Sequence, residues 1–239
     1  MNSYVLRHER CPDCAKLGND RSGDNLAVYS DGHTYCFKCG SSSRRTRISN
    51  TTERHEETVI LPTDVTTELP YEARVWLGRY SLSRLDLTSN HVMWSPSLQR
   101  IVFPYFDQTG LLAWQGRYVG KENKAKWWSQ GKIHEIIHQI NVNNREAVLV
   151  EDIISAIKVS KVKGAIPIFG STISAKHFLR LKTVVDRVWI WLDPDMRSKS
   201  VKMASLANLL GLEAIVVFSD KDPKDYTHEE IKTFLKVDS

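Results

Sequence analysis

The sequence predicts an α/β protein in two parts: a small N-terminal β module organised around a metal, and a larger domain that closes on a parallel, doubly wound sheet. Three observations carry this. All four cysteines fall in the first forty residues, as Cys11-Pro12-Asp13-Cys14 and Cys36-Phe37-Lys38-Cys39. Residues 41–59 then read SSSRRTRISNTTERHEETV, a polar stretch with almost no apolar content. From residue 145 onward, short apolar runs alternate with helical periodicity, the pattern of strands joined by crossover helices.

Composition sets the outer bounds. The chain has 239 residues, 41% hydrophobic and 26% charged with 12 glycines, which fits a globular protein and excludes a collagen-like or wholly disordered one. No apolar run approaches the roughly 18 residues of a membrane span, and the first ten residues carry Arg7, Glu9 and Arg10 where a signal core would be apolar. A soluble, unexported protein is therefore expected, with no membrane partner. The balance of 33 Lys+Arg against 28 Asp+Glu gives +5, too mild to name a partner by itself. Its distribution says more: residues 1–50 hold 8 basic against 5 acidic side chains, and residues 100–132 hold 6 against 2.

The cysteines are read first. Two CxxC pairs with 21 residues between them offer four thiolates, the soft tetrahedral set that Zn²⁺ takes. A pair of disulfides is disfavoured in an unexported chain, and redox CxxC pairs sit on helices, of which the surrounding residues show no sign. With four cysteine ligands the site has no open position, so Cys11, Cys14, Cys36 and Cys39 would fold the module and perform no catalysis. Asn25–Tyr29 and His33–Tyr35 read as strands around a Ser30-Asp31-Gly32 turn, which makes a zinc ribbon over residues 1–43. Arg7, Arg10, Arg21, Lys38, Arg44, Arg45 and Arg47 surround it with Tyr29, His33, Tyr35 and Phe37. Such a mixture suits phosphates and bases, or equally a solvated basic surface with rings packed beneath it.

A linker is expected over residues 44–61. Residues 70–90 resume helical periodicity through Ala73, Trp76, Leu77, Leu82, Leu85 and Leu87, with Ser81 or Ser83 as N-cap. Ile101–Phe106, a turn at Asp107-Gln108-Thr109-Gly110, and Leu111–Tyr118 predict a hairpin. Between Arg117 and Lys132, Arg117, Lys121, Lys124, Lys126 and Lys132 meet Glu122 alone, beside Trp127 and Trp128. This segment fits a triphosphate or a single strand of nucleic acid, or a loop kept soluble by lysines. His134-Glu135-Ile136-Ile137-His138 satisfies HExxH, but a zincin needs that helix to continue, and Gln139-Ile140-Asn141-Val142-Asn143-Asn144 breaks it. The motif is taken as a chance match.

The remaining residues, 146–239, hold the predicted parallel sheet. Strands are expected at Ala147–Val150, Ala165–Phe169, Val188–Leu192 and Ile215–Phe218, and helices at Ile153–Lys163, Ser174–Leu181 and Ser198–Leu210. Function in such sheets lies at the carboxyl ends of the strands. Acids stand there: Glu151 and Asp152 after the first strand, Asp193 and Asp195 after the third, Asp222 and Asp225 after the fourth. Helix N-caps account for one or two of them. Carboxylates that crowd at three strand ends call for a divalent cation, and hard oxygen ligands select Mg²⁺ or Mn²⁺. Extended alternation through Asp193-Pro194-Asp195 would turn both side chains to one side, towards a shared ion.

A strand ending in Glu, a second ending in Gly and a third ending in Asp-x-Asp resembles the TOPRIM domain of primases, topoisomerases and some nucleases. Ribbon, basic segment and TOPRIM in that order resemble DNA primases of the DnaG type, and most of all the primase half of the primase-helicases of T-odd bacteriophages. Ser30-Asp31-Gly32-His33-Thr34-Tyr35-Cys36 resembles the phage stretch whose histidine helps read the template trinucleotide. Gly116-Arg117, then Lys126 and Ser129, resemble the stretches that line the polymerase cleft, and Asp222-Pro223-Lys224-Asp225 resembles an Asp-Pro-x-Asp motif. The similarity runs in order along nearly the whole chain. It departs at Asp152 and Ser155, where the family has Gly and an acid, and at Arg197-Ser198, where it often has Ala-Gly.

The resemblance implies a TOPRIM-containing polymerase domain whose basic subdomain spans residues 62–145. It further implies template-dependent synthesis of short RNA primers on single-stranded DNA by nucleotidyl transfer. Glu151, Asp193 and Asp195 would hold Mg²⁺ or Mn²⁺, with Asp152, Asp222 and Asp225 as further candidates. Arg117 and Lys126 would neutralise phosphate charge, and Lys124 would join them in binding the nucleotide. His33 with Asp31, Arg7 and Lys38 would meet the template. No GxxxxGK[ST] occurs, so unwinding is expected from a replicative helicase, either a separate protein or one fused to this chain, with a DNA polymerase acting in trans. The expected compartment is the cytoplasm, that of a bacterial host if a phage encodes the chain. A TOPRIM nuclease, or a template-binding accessory protein without catalysis, would use the same residues.

Overall fold

The structure is a computed structural model, and it describes residues 5–20, 23–43, 58–122 and 124–237. Much of the expected linker, and Arg21, Arg44, Arg45 and Arg47, lie outside the described residues. The chain divides into two compact units, residues 1–56 and 57–239.

In the first unit, β1 (Val5–Glu9), β2 (Leu26–Tyr29), β3 (Thr34–Cys36) and β4 (Ser42–Ser43) pair in that order, each antiparallel to the next. The predicted strands and turn of the ribbon are present. One expectation needs correction: the first cysteine pair does adjoin a helix, the short α1 (Pro12–Lys16). Pro12 starts it, because a proline at the first helical position lacks only an N–H that would have no partner there. After the second pair, Gly40 at φ +72° turns the chain back, and its N–H donates to the Cys36 carbonyl at 2.9 Å. Among the described residues the apolar core of this unit is small: Cys11, Cys14 and Cys36 with Leu26 against them, and Ala27 buried in β2. So small a core does not hold a fold without a staple.

The second unit opens with α2 (Tyr71–Gly78) and α3 (Arg84–Ser89). Ser83, not Ser81, caps α3, in a reciprocal capping box with Asp86. An antiparallel sheet follows in the order β5 (Met93–Ser95), β6 (Arg100–Asp107), β7 (Gly110–Tyr118), β8 (Trp127–Gly131). The hairpin is β6–β7. The strand β8 occupies what composition allowed to be a soluble loop, because Trp127 pairs with Arg117 and Trp128 with Gly116 along the ladder.

The parallel sheet runs β10 (Ala165–Pro167), β9 (Glu146–Val150), β11 (Arg187–Ile190), β12 (Glu213–Val216). Alternate residues of β9 enter different cores. Val148 and Val150 pack with Ile153, Ile154 and Ile157 of α4 (Ile153–Val159) and with Ile231 and Leu235 of α7 (His228–Leu235). Ala147 and Leu149 pack with Phe178 of α5 (Ala175–Leu181) and Met203 and Ala207 of α6 (Arg197–Leu209). Helices thus cover both faces, as a doubly wound sheet requires. The first core also takes in Ile101, Phe103 and Tyr105 of β6, so the antiparallel sheet packs on the α4/α7 side.

Several boundaries shift from expectation for identifiable reasons. Helix α4 stops at Val159, since Ser160 bonds back to the Ile157 carbonyl and Lys163 leaves to pair with Glu146 at 2.6 Å. Strand β10 ends at Pro167: the Ile168 N–H still donates to the Val150 carbonyl at 2.8 Å, and Phe169, at φ +54°, then turns the chain out of the sheet. Strand β12 begins two residues before Ile215, because Glu213 joins the sheet through its 2.9 Å ion pair with Arg187. The helix α7, absent from the expectation, is announced by a Thr227 and Glu230 capping box. Among the described residues no helix is long and apolar enough to cross a membrane.

Candidate active site and zinc centre

The four cysteine sulfurs lie within 4.8 Å of one another, with Cys11 to Cys39 at 3.8 Å and Cys14 to Cys36 at 3.7 Å. A disulfide would need about 2.05 Å. A tetrahedron with Zn–S bonds of about 2.3 Å has edges near 3.8 Å, so the cluster fits one zinc ion. Backbone N–H groups, that of Cys39 foremost, bring the Cys36 thiol down to about 7 against its burial, whereas burial pushes the Cys14 thiol well up, a cost that a bound cation would offset. Asp20, which sequence reasoning missed, braces the site from beneath: buried, it accepts the Cys11 N–H at 2.6 Å and the Gly23 N–H at 2.9 Å.

On the same ribbon, the His33 imidazole bonds to Asp31 through Nδ1 and stacks on Tyr29, with centroids 4.0 Å apart and planes at 12°. Lys38 is exposed, whereas Arg7 pairs with Glu9. His8, Tyr35 and Phe37 form a separate exposed aromatic group, Phe37 being 61% accessible.

The strand order places the acids. From β9 the chain crosses to β10 on one side, then to β11 on the other, so a crevice opens at the carboxyl ends between β9 and β11. Glu151 follows β9 and Asp193 follows β11, one on each side of this switch point. Burial lifts the Glu151 carboxyl, and the charges of Asp195 and Asp152 add to the effect. Asp193 is pushed up to about 7, first by burial; Lys224 opposes the shift, and Glu151, Asp222 and Asp152 reinforce it. Glu151 Oε1 and Asp193 Oδ1 are buried and accept no hydrogen bond. Two buried anionic oxygens without a donor fit a hard divalent cation. The carboxylates are more widely spread than the cysteines, which form the one cluster within 4.8 Å among the described residues.

The extended Asp193-Pro194-Asp195 alternation is not what brings Asp195 in. Pro194 starts a 3₁₀ turn over Pro194–Met196, and Asp195 reaches the Glu151 field from that turn. Asp152 has two duties: it caps α4 by accepting the Ser155 N–H at 2.8 Å, and it pairs with Lys224 Nζ at 2.9 Å. Lys224 also meets Asp222 at 2.8 Å. Although burial opposes it, these carboxylates hold the Lys224 ammonium pKa above its ordinary value. Asp225 is exposed and lies at the end of the same Pro223–Asp225 turn.

Arg117 projects from β7 between two indoles, 4.9 Å from the Trp76 ring centroid and 5.5 Å from that of Trp127. Burial lowers its pKa, while Tyr80 and Asp152 favour its charge, which ties it electrostatically to the acid end of the parallel sheet. Lys124 does not join it. Its ammonium pairs with Glu122 at 2.7 Å and lies over Tyr118, which alternates with Arg117 along β7 and so faces the other side of the sheet. Lys126 is exposed just before β8, and its carbonyl accepts from Tyr118 N–H and Arg100. Arg100 was invisible to motif reading: buried at 6% accessibility, it donates to Gly116, Ala125 and Lys126 carbonyls and so fixes the segment that leads to Lys126.

The HExxH residues form a 3₁₀ turn at Ile133–Glu135 followed by extended backbone, so the two histidines share no helix face. His138 is turned inward, edge-on to Tyr105 with centroids 5.0 Å apart, and burial brings it down to about 4. The chance-match reading stands.

No family model matches the chain, and no curated protein matches it in sequence. Solved structures do. The zinc-binding and RNA polymerase domains of the Aquifex aeolicus primase superpose with a TM-score of 0.62 at 15% identity over 70% of this chain, which spans 56% of that one. A DnaG primase catalytic domain bound to single-stranded DNA matches with 0.56 at 15% identity, over 71% of this chain and 73% of that one. The primase fragment of the bacteriophage T7 primase-helicase matches with 0.54 at 14% identity, over 98% of both chains. In its α/β architecture, with a four-cysteine module ahead of the parallel sheet, the chain has the fold of the bacterial and bacteriophage primases.

Proposed function

We propose that this protein is a primase, which makes short RNA primers on a single-stranded DNA template from NTPs. The observation that carries the reading is the pairing of Glu151 and Asp193 across the switch point of the parallel sheet, each with a buried oxygen that lacks a donor. Bound there by Glu151, Asp193 and Asp195, Mg²⁺ or Mn²⁺ would supply Lewis-acid activation of a 3′-hydroxyl and charge neutralisation on a triphosphate. The chain's own residues do the rest. Arg117, stacked between Trp76 and Trp127, presents a fixed positive charge to phosphoryl oxygens, and its rigid setting lowers the reorganisation needed in the transition state. Lys126 would meet the phosphates from the edge of β8. Asp222, held by Lys224, stands at the edge of the acid cluster.

The ribbon supplies the template contact in this reading. Asp31 orients the His33 imidazole and Tyr29 supports its face, so His33 presents a single edge to a base, with Lys38 available to a phosphate. The DnaG catalytic domain is a complex with single-stranded DNA and the T7 fragment comes from a primase-helicase; these support a single-stranded template and a helicase partner here. The test is primer synthesis with labelled NTPs on single-stranded templates of varied sequence. Oligoribonucleotides on a subset of templates are expected, and no product on any of them sinks the reading. Cleavage of DNA with Mg²⁺ and without NTPs would instead identify a nuclease that uses the same acids.

A further inference from the structure

The acid cluster is divided in two by a lysine. Lys224 Nζ lies 2.9 Å from Asp152 Oδ2 and 2.8 Å from Asp222 Oδ2, with only 15% of its side chain accessible. Asp152 also accepts the Ser155 N–H, so its two oxygens are both committed. On the other side of the cluster Glu151 Oε1 and Asp193 Oδ1 are buried and have no donor. The chain itself thus supplies one cation to the Asp152–Asp222 pair, which keeps a net charge of −1, whereas the Glu151 and Asp193 oxygens have no donor of their own.

The geometry points to Lys224 as a positioning residue that serves as the resident cation of the Asp152–Asp222 half-site, so that the protein takes one divalent ion, at Glu151 and Asp193, where a bare carboxylate cluster would take two. The reasoning is electrostatic. An ammonium held by two carboxylates at hydrogen-bond distance occupies the position between them and supplies one of the two positive charges that a second ion would bring, and a dication placed in the same pair would meet like-charge repulsion at low dielectric. Lysine suits this use because its charge is a compact point at the end of a flexible stem. Sequence places Lys224 and Asp152 72 residues apart, and the pairing arises only because the turn at Pro223–Asp225 folds against the N-terminus of α4. The inference rests on the metal-site reading of Glu151 and Asp193 made above.

The test counts Mn²⁺ bound to the zinc-loaded full chain without NTPs, by electron paramagnetic resonance titration, with circular dichroism to establish folding. One displaceable Mn²⁺ per chain is expected in the wild type. Asp152→Asn, which keeps the helix cap, should still bind one; Asp193→Asn should bind none; Lys224→Met should bind two, and Lys224→Arg should return the count to one. Two ions in the wild type, none in the wild type, or loss of the ion in Asp152→Asn each overturns the inference, as does a folded Lys224→Met that binds one. Should Lys224→Met not fold, Lys224→Gln, which keeps a hydrogen-bond donor at the two carboxylates and removes the charge, takes its place: two ions are expected, and one overturns the inference. Primer synthesis with two bound ions would contradict this inference alone, whereas one bound ion without primer synthesis would contradict the proposed function alone.

Discussion

Arg100 crosses directly above Gly116: its Nη1 donates to the Gly116 carbonyl at 2.9 Å, and a Cβ on Gly116 would stand 2.9 Å from Arg100 Cδ and 3.1 Å from the Trp114 ring. The glycine of Gly116-Arg117 is thus required by the neighbouring strand, which needs room for a buried guanidinium. Gly116→Ala should cost about 1–3 kcal/mol by overpacking and weaken the bonds from Arg100 to Ala125 and Lys126. Urea denaturation should show a lower midpoint with an unchanged slope; an unchanged midpoint would remove this account of the glycine.

Zinc is the staple of the ribbon. A thiol-reactive chelation assay should release one zinc ion per chain, and Cys36→Ser should release or fail to bind it. Loss of zinc should unfold the ribbon strands of the first unit while the second unit keeps its own melting transition, since its two cores contain no cysteine. Coincident loss of both transitions would contradict the independence of the two cores.

Arg117 should be irreplaceable by lysine. A lysine keeps the charge but cannot spread a planar cation across Trp76 and Trp127. Both Arg117→Ala and Arg117→Lys should lower primer synthesis by about 10²-fold, with a larger effect on kcat than on KM for NTPs. Full activity in Arg117→Lys would show that only the charge matters.

His138 predicts a pH dependence of stability. Its folded pKa, about 4, lies below the ordinary value because burial disfavours the cation, and the charge of His91 adds to this. The unfolded chain therefore binds a proton more readily between these values, so the contribution of His138 is complete above about pH 6.5 and is lost as pH falls towards 4. Between pH 7 and 5 the loss amounts to about 2 kcal/mol. His138→Phe, which keeps an aromatic edge against Tyr105, should flatten the stability profile in that window; an unaltered slope would place the acid sensitivity elsewhere.

How far the molecule could be read from its sequence depended on whether the signal was local. Cys11, Cys14, Cys36 and Cys39 were legible because CxxC spacing is itself coordination chemistry. Strand β9 and the Glu151 after it were legible because a short apolar run followed by an acid survives any tertiary context. Strand β12 was misplaced by two residues because Glu213 enters the sheet through a partner, Arg187, that local hydropathy cannot show. Asp195 was assigned to the site by an alternation that the Pro194 turn interrupts. Lys224, Arg100 and Asp20 escaped notice for a common reason: each draws its importance from partners whose proximity the fold creates, such as Asp152 for Lys224. The helix α7 was a different case, since its Thr227 and Glu230 capping box stands in the sequence for anyone who looks for it.

The central claim is that the carboxylates at the switch point run nucleotidyl transfer, and Asp193 tests it most directly. Formation of the first dinucleotide from labelled NTPs on single-stranded DNA should be measured for the wild type and for Asp193→Asn. That change preserves shape while removing the charge that Glu151, Asp222 and Asp152 already crowd. A fall of at least about 10²-fold, with zinc content and folding intact, is the predicted result. Equal dinucleotide formation by the two proteins would contradict the account.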